Sequence, residues 1–145
     1  MTKIEKSIEI NASPENVWLA ILPENMPQWF EQFKKVEWQT RQTHTKGSIF
    51  RVSSEIAGEK SDFDAEMIEV KENRKGIWHT LSGNINGVAE ADLIPTESGT
   101  KLSMSMDYKL PYSVIGKMLD KIRVHKELDK DFEVGLQDLK YILET

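Results

Sequence analysis

The chain contains no cysteine, which removes disulfide staples and thiolate chemistry from consideration. No apolar run approaches the roughly 20 residues of a membrane span, and the start, MTKIEKSIEI, lacks the apolar stretch of a signal peptide. Together these point to a soluble, cytoplasmic protein of a reducing compartment. Histidine is scarce: His44, His79 and His125 are the three. They fall into no HExxH, HxxxH or two-His-one-carboxylate spacing, so neither a metal nor a cofactor is expected. The net charge is −5, with acids and bases interleaved. That disfavours a nucleic-acid partner, because such binding draws on clustered Lys and Arg. The glycines of Ser82-Gly83-Asn84-Ile85-Asn86-Gly87 open no helix and make no phosphate loop.

What the chain does have is length and patterning. Its 145 residues suit one domain, expected to span 1–145, and a chain of this size buries about two-thirds of its unfolded surface. Residues 3–10 alternate, with Ile4, Ile8 and Ile10 on one face of a half-buried strand. Ser13 suits a helix N-cap and Pro14 the first helical position. Val17, Trp18 and Ile21 give that helix its apolar side, and a second short helix is expected after Pro27.

From about residue 35 to 109 the period is near two. Val36, Trp38 and Thr40 share a face, as do Phe50, Val52, Ser54 and Ile56, and then Phe63, Ala65 and Met67. Ile68 and Val70 switch parity, which one extra residue, a β-bulge near Met67–Ile68, would explain. In the next strand Trp78 and His79 compete for the interior. Asn86-Gly87 reads as a hairpin turn. In the last strand Leu102, Met104, Met106 and Tyr108 share a face.

After Pro111 the period becomes helical and stays so to about Leu143. Ile115, Met118, Leu119 and Ile122 cluster on one helical face. Leu128, Phe132, Leu136, Leu139 and Leu143 cluster on another, with the changeover at Val124–Glu127. Either the helix bends there or its first half, 112–123, acts as a gate, while the second half anchors the helix on the main core. A meander of strands cannot cover its own apolar face, and the last helix is the only element long enough to do so.

Several of these pieces carry a resemblance. They are Ile8-Glu9-Ile10-Asn11-Ala12-Ser13-Pro14-Glu15-Asn16-Val17-Trp18, Met26-Pro27-Gln28-Trp29, Lys46-Gly47-Ser48, Gly99-Thr100-Lys101-Leu102 and the long terminal helix. In that order they resemble the START-like (helix-grip) superfamily, which includes the birch-pollen allergens and the polyketide cyclase/dehydrase and lipid-transport proteins. The resemblance implies an α+β fold: a seven-stranded antiparallel sheet wrapped around a long C-terminal helix, with two short helices after the first strand. It also implies an internal cavity for an apolar or aromatic small molecule or a lipid.

Strand parity and the first helical face then assign the expected cavity wall. It comprises Trp38, Phe50, Val52, Ser54, Phe63, Ala65, Met104, Met106, Tyr108, Ile115, Leu119 and Ile122. Methionines suit irregular apolar partners, and apolar walls with a few hydroxyls suit a small-molecule pocket. Carriage of a ligand is the first reading. A cyclase/dehydrase-like enzyme is the second, with His79 and Tyr108 as the weak catalytic candidates. A protein-interaction module, like the chaperone cofactors of this fold, is the third. Oligomerisation is compatible with all three. Asp62, Asp64 and Glu66 lie on one strand face, and this carboxylate row is expected to face solvent.

Overall fold

The computed structural model describes residues 2–83, 85–109 and 121–145, with the backbone alone for Lys121. Its elements are β1 (Thr2–Ile10), α1 (Pro14–Ile21), a 3-10 helix (Pro23–Gln28), β2 (Phe33–Trp38), β3 (Ile49–Ile56) and β4 (Glu59–Lys60). They continue with β5 (Phe63–Lys71), β6 (Lys75–Gly83), β7 (Asn86–Pro95), β8 (Thr100–Lys109) and α2 (Lys121–Glu144). Seven strands form an antiparallel sheet in the order β1-β8-β7-β6-β5-β3-β2, curled into a half-barrel on α2, and the two-residue β4 pairs with β3.

Local chemistry explains the first turns of the chain. Ser13 caps α1 by accepting from the Asn16 N–H at 3.2 Å, with Pro14 at the start of the helix. Such a cap contributes about 1 kcal/mol. α1 buries Val17, Trp18 and Ile21. The next helical turn lies over Pro23–Gln28, with Pro27 inside it, and not after Pro27 as expected from sequence. A proline opens this turn as well: Pro23 occupies its first position, where a missing N–H costs nothing. Trp29 and Phe30 then bury themselves just beyond it, and the Trp29 indole N–H donates to the Ala20 carbonyl at 2.8 Å.

The strands follow the alternation closely. Phe50, Val52, Ser54 and Ile56 are buried, with Arg51 and Glu55 exposed between them. The register of β5 on β6 slips between Met67 and Glu69, the expected bulge, and slips again between Asp64 and Ala65. β2 ends at Trp38, so Thr40 lies in the following loop. There its hydroxyl donates to the Gln42 carbonyl at 2.7 Å and accepts from the Ile49 N–H at 3.1 Å. Asn86-Gly87 begins β7 and is not the turn itself. The β6–β7 ladder stops at His79–Val88, which leaves a wide hairpin end.

α2 lies against β1 and α1. Its buried stripe runs through Val124, Leu128, Phe132, Leu136 and Leu139, at the four- and three-residue spacing of one helical face. The stripe begins at Val124, inside the expected changeover at Val124–Glu127. Of the first-face residues Ile122 is described and exposed, while Ile115, Met118 and Leu119, and with them the comparison of the two faces, lie outside the described residues. Gly135 sits where a Cβ would come within 3.0 Å of Phe30 Cδ1. A mid-helix glycine costs about 1 kcal/mol against alanine, and here it admits the ring. On the inner face of β1, Lys6 stands between Ile4 and Ile8. Its Nζ reaches Asp129 Oδ2 at 2.9 Å and Glu133 Oε2 at 3.4 Å on α2.

Candidate functional site

Two apolar clusters fill the interior. The larger joins β1, α1, the 3-10 helix, β7, β8 and α2, and the smaller joins Phe50, Val52, Phe63, Ala65 and Met67 on β3 and β5. A cavity of about 60 Å³ lies where the two approach each other, bounded among the described residues by Phe30, Phe63, Trp78, Met104, Met106 and Phe132. Met26, Phe33, Ile56 and Leu128 extend the same wall, and Thr80, Ile85, Gly87 and Ala89 border it at the wide hairpin end. No described residue at the cavity carries an ionisable side chain.

The predicted wall residues divide into groups. Phe63, Met104 and Met106 line the cavity. Phe50, Val52 and Ala65 are buried within the smaller cluster, packed behind the cavity and not on it. Trp38 stands at the margin of that cluster, edge-on to Phe50 at 5.4 Å and to His44 at 5.1 Å between ring centres. The buried Ser54 hydroxyl donates to the Ser61 carbonyl, closing the β3–β4 turn, and Ser54 does not line this cavity. Ile122 is 65 % exposed. Ile115 and Leu119 lie outside the described residues.

Tyr108 is buried, and its hydroxyl shares a 3.1 Å hydrogen bond with His125 Nδ1 on α2. Burial pushes the phenol above its usual range, so it stays protonated near neutral pH. The contest on β6 goes to Trp78, which lines the cavity, while His79 turns to the opposite face. There His79 Nε2 lies 3.0 Å from Glu66 Oε1. The carboxylate row is partnered throughout: Arg51 Nε donates to Asp64 Oδ1 at 2.8 Å, and Lys60 Nζ lies 3.7 Å from Asp62 Oδ2. The guanidinium holds the Asp64 carboxyl below its ordinary value.

Sequence reasoning missed Phe30, Phe33, Trp78, Thr80, Ile85 and Phe132 as neighbours of the cavity. Helical periodicity places Phe132 in the anchoring half of the helix, yet its ring meets Phe30 at 5.1 Å between centres and borders the empty space. Strand alternation carried the signal for Thr80, since it shares a face with Trp78. Nothing in the periodicity places the Phe30 ring, because the segment after the 3-10 helix is irregular.

Among solved structures, TTHA0849 from Thermus thermophilus is similar at a TM-score of 0.81 and 20 % identity, covering 98 % of this chain and 97 % of that one. A START superfamily protein from Mycobacterium smegmatis is similar at 0.78 and 21 %, again over 98 % and 97 %. MLL2253 from Mesorhizobium loti follows the same path at 0.73 and 20 %, over 98 % and 96 %. At these identities the likeness is one of fold. No curated protein matches the chain. The family model described as polyketide cyclase / dehydrase and lipid transport matches residues 1–144. With the curled sheet on its helix, that match over nearly the whole chain shows that the protein belongs to the polyketide cyclase / dehydrase and lipid transport family.

Proposed function

We propose that the protein binds and carries an apolar small molecule or lipid in the cavity between sheet and α2. The observation that carries this reading is an interior space walled by methionine and aromatic side chains, with no ionisable group among its described neighbours. Its volume of about 60 Å³ is well below the roughly 300–1,000 Å³ of ligand-filled pockets. A ligand must therefore part the wall. Met26, Met104 and Met106 are the flexible members that can repack around it. Family membership supports the same reading, since lipid transport is part of the family's description.

Catalysis has less support. A general acid or base must reach its substrate within hydrogen-bond distance. His79 faces the other side of the sheet, and the Tyr108 hydroxyl is engaged by His125. Native mass spectrometry of the purified protein, followed by melting with added apolar compounds, tests the proposal. A bound apolar compound, or stabilisation of about 2.7 kcal/mol at 100 times Kd, is expected. A ligand-free protein whose melting ignores every apolar compound overturns it.

A further inference from the structure

The wide end of the β6–β7 hairpin supplies a polar group to an otherwise apolar cavity. Among the described residues, the pairing of the two strands does not continue beyond His79–Val88. The gap is bridged by the Thr80 side chain, whose Oγ1 accepts the Gly87 N–H at 2.9 Å. A threonine hydroxyl both accepts and donates, so this bridge leaves its proton still to be given. Thr80 and Trp78 are two residues apart on β6 and share its inner face, and both border the cavity. The Trp78 indole N–H can only donate. Ser105 also borders the space, but it stands between Met104 and Met106, so alternation turns its hydroxyl to the other face. Thr80 and Trp78 are thus the polar side chains that the described inner wall presents; each has a proton to donate, and neither is charged.

Resting on the carrier reading, we propose that the ligand is uncharged and has one hydrogen-bond-accepting carbonyl, received by the Thr80 hydroxyl at the hairpin end. A carboxylate in the same place would be buried without a cation among the described neighbours, at a cost of several kcal/mol. A hydrocarbon would leave the hydroxyl proton unanswered. A ketone or ester satisfies the donor and keeps the rest of the molecule against the Phe and Met walls.

The test uses three probes with one ring system: naphthalene, 2-acetylnaphthalene and 2-naphthoate, titrated at pH 8 against the full chain. The ketone should bind tightest, with the carboxylate weaker by about 100-fold or more. Thr80→Val should weaken the ketone by roughly three- to tenfold and leave naphthalene unchanged, and Thr80→Ser should restore the ketone. The naphthalene titration also reports whether each variant keeps its cavity. Independently of any variant, the infrared carbonyl stretch of the bound ketone should lie below its position in an alkane solvent. Naphthoate binding as tightly as the ketone would overturn the inference. So would a Thr80→Val variant that retains full ketone affinity, or an unshifted carbonyl stretch. In those cases naphthalene binding would leave the carrier reading standing. If none of the three probes binds, the inference falls, while the carrier reading is decided by the native mass spectrometry and the melting with other apolar compounds.

Discussion

The two ends of α2 are held in different ways. Toward its C-terminus the helix is pinned by polar contacts to the end of β1. Lys140 Nζ donates to the Glu9 carbonyl at 2.7 Å, and the Asn11 N–H donates to Glu144 Oε2 at 2.7 Å. Leu136 and Leu139 are fully covered there. Around Leu128 and Phe132 the same stripe borders empty space. One end is packed like an organic crystal and the other is not. Lys6 on Asp129 and Tyr108 on His125 tie the cavity end to the sheet as well, so packing and not anchorage is what separates the two ends.

The largest effect should separate these two ends directly. Leu139→Ala, at a fully buried site, should destabilise by about 3–4 kcal/mol in urea unfolding. Met106→Ala, beside the cavity, should fall near 2 kcal/mol, the low end of such truncations. Equal costs would erase the contrast.

Filling the space should sharpen it. Ala89 borders the cavity between Trp78 and Met106 in the sheet register. Ala89→Val should change stability by less than about 1 kcal/mol, since new burial offsets crowding. Its ligand affinity, measured by calorimetry with an apolar probe, should nevertheless fall at least about tenfold, as the probe must displace the added methyls.

Smaller effects are expected away from the wall. His79→Ala and Tyr108→Phe should keep ligand affinity within a few-fold. Should a substrate be found, a loss in turnover of about 100-fold from either change would favour a general acid or base instead.

The smallest effect concerns pH. Burial, then the charges of Glu127 and Glu31, raise the Asp131 carboxyl above its ordinary value. A raised folded-state value means that the folded protein holds this proton more tightly than the unfolded chain does. The contribution to stability is therefore present below the ordinary carboxylate range and is lost as pH rises through the raised value. Asp131→Asn should raise stability slightly at pH 7, by less than about 1 kcal/mol for a half-buried site still screened by water. It should also flatten the stability profile above the ordinary carboxylate range. An unchanged profile would count against the assigned cause.

Much of the fold was legible in the residues because alternation and helical periodicity report burial, and burial is what the sheet and α2 share. Ser13 and Pro14 marked the start of α1 because a cap is a local device. The slip at Met67–Ile68 showed as a change of parity. The cavity was harder to read. Parity says that Phe50, Val52 and Ala65 point inward, but not that the interior divides into two clusters with the space at their junction. Trp78 against His79 was undecidable until Glu66 appeared across the strand pair as the histidine's partner. Lys6, on an inward parity, had no visible reason to be there before Asp129 came to meet it, over a separation of 123 residues. Such long-range pairings leave no periodic trace.

Gly135 gives the cavity an adjustable wall. Phe30 touches the helix backbone there on one side and borders the ligand space on another. The helix–ring spacing is therefore set at its thinnest, like a shim that has been removed. Restoring it with Gly135→Ala would gain about 1 kcal/mol of helix propensity while asking the ring to give by a few tenths of an ångström. Shortening the neighbour with Phe30→Leu should suppress that strain, so the pair would be non-additive in a double-mutant cycle. A carrier built this way can be retuned for bulkier or slimmer cargo from a position that never touches the cargo.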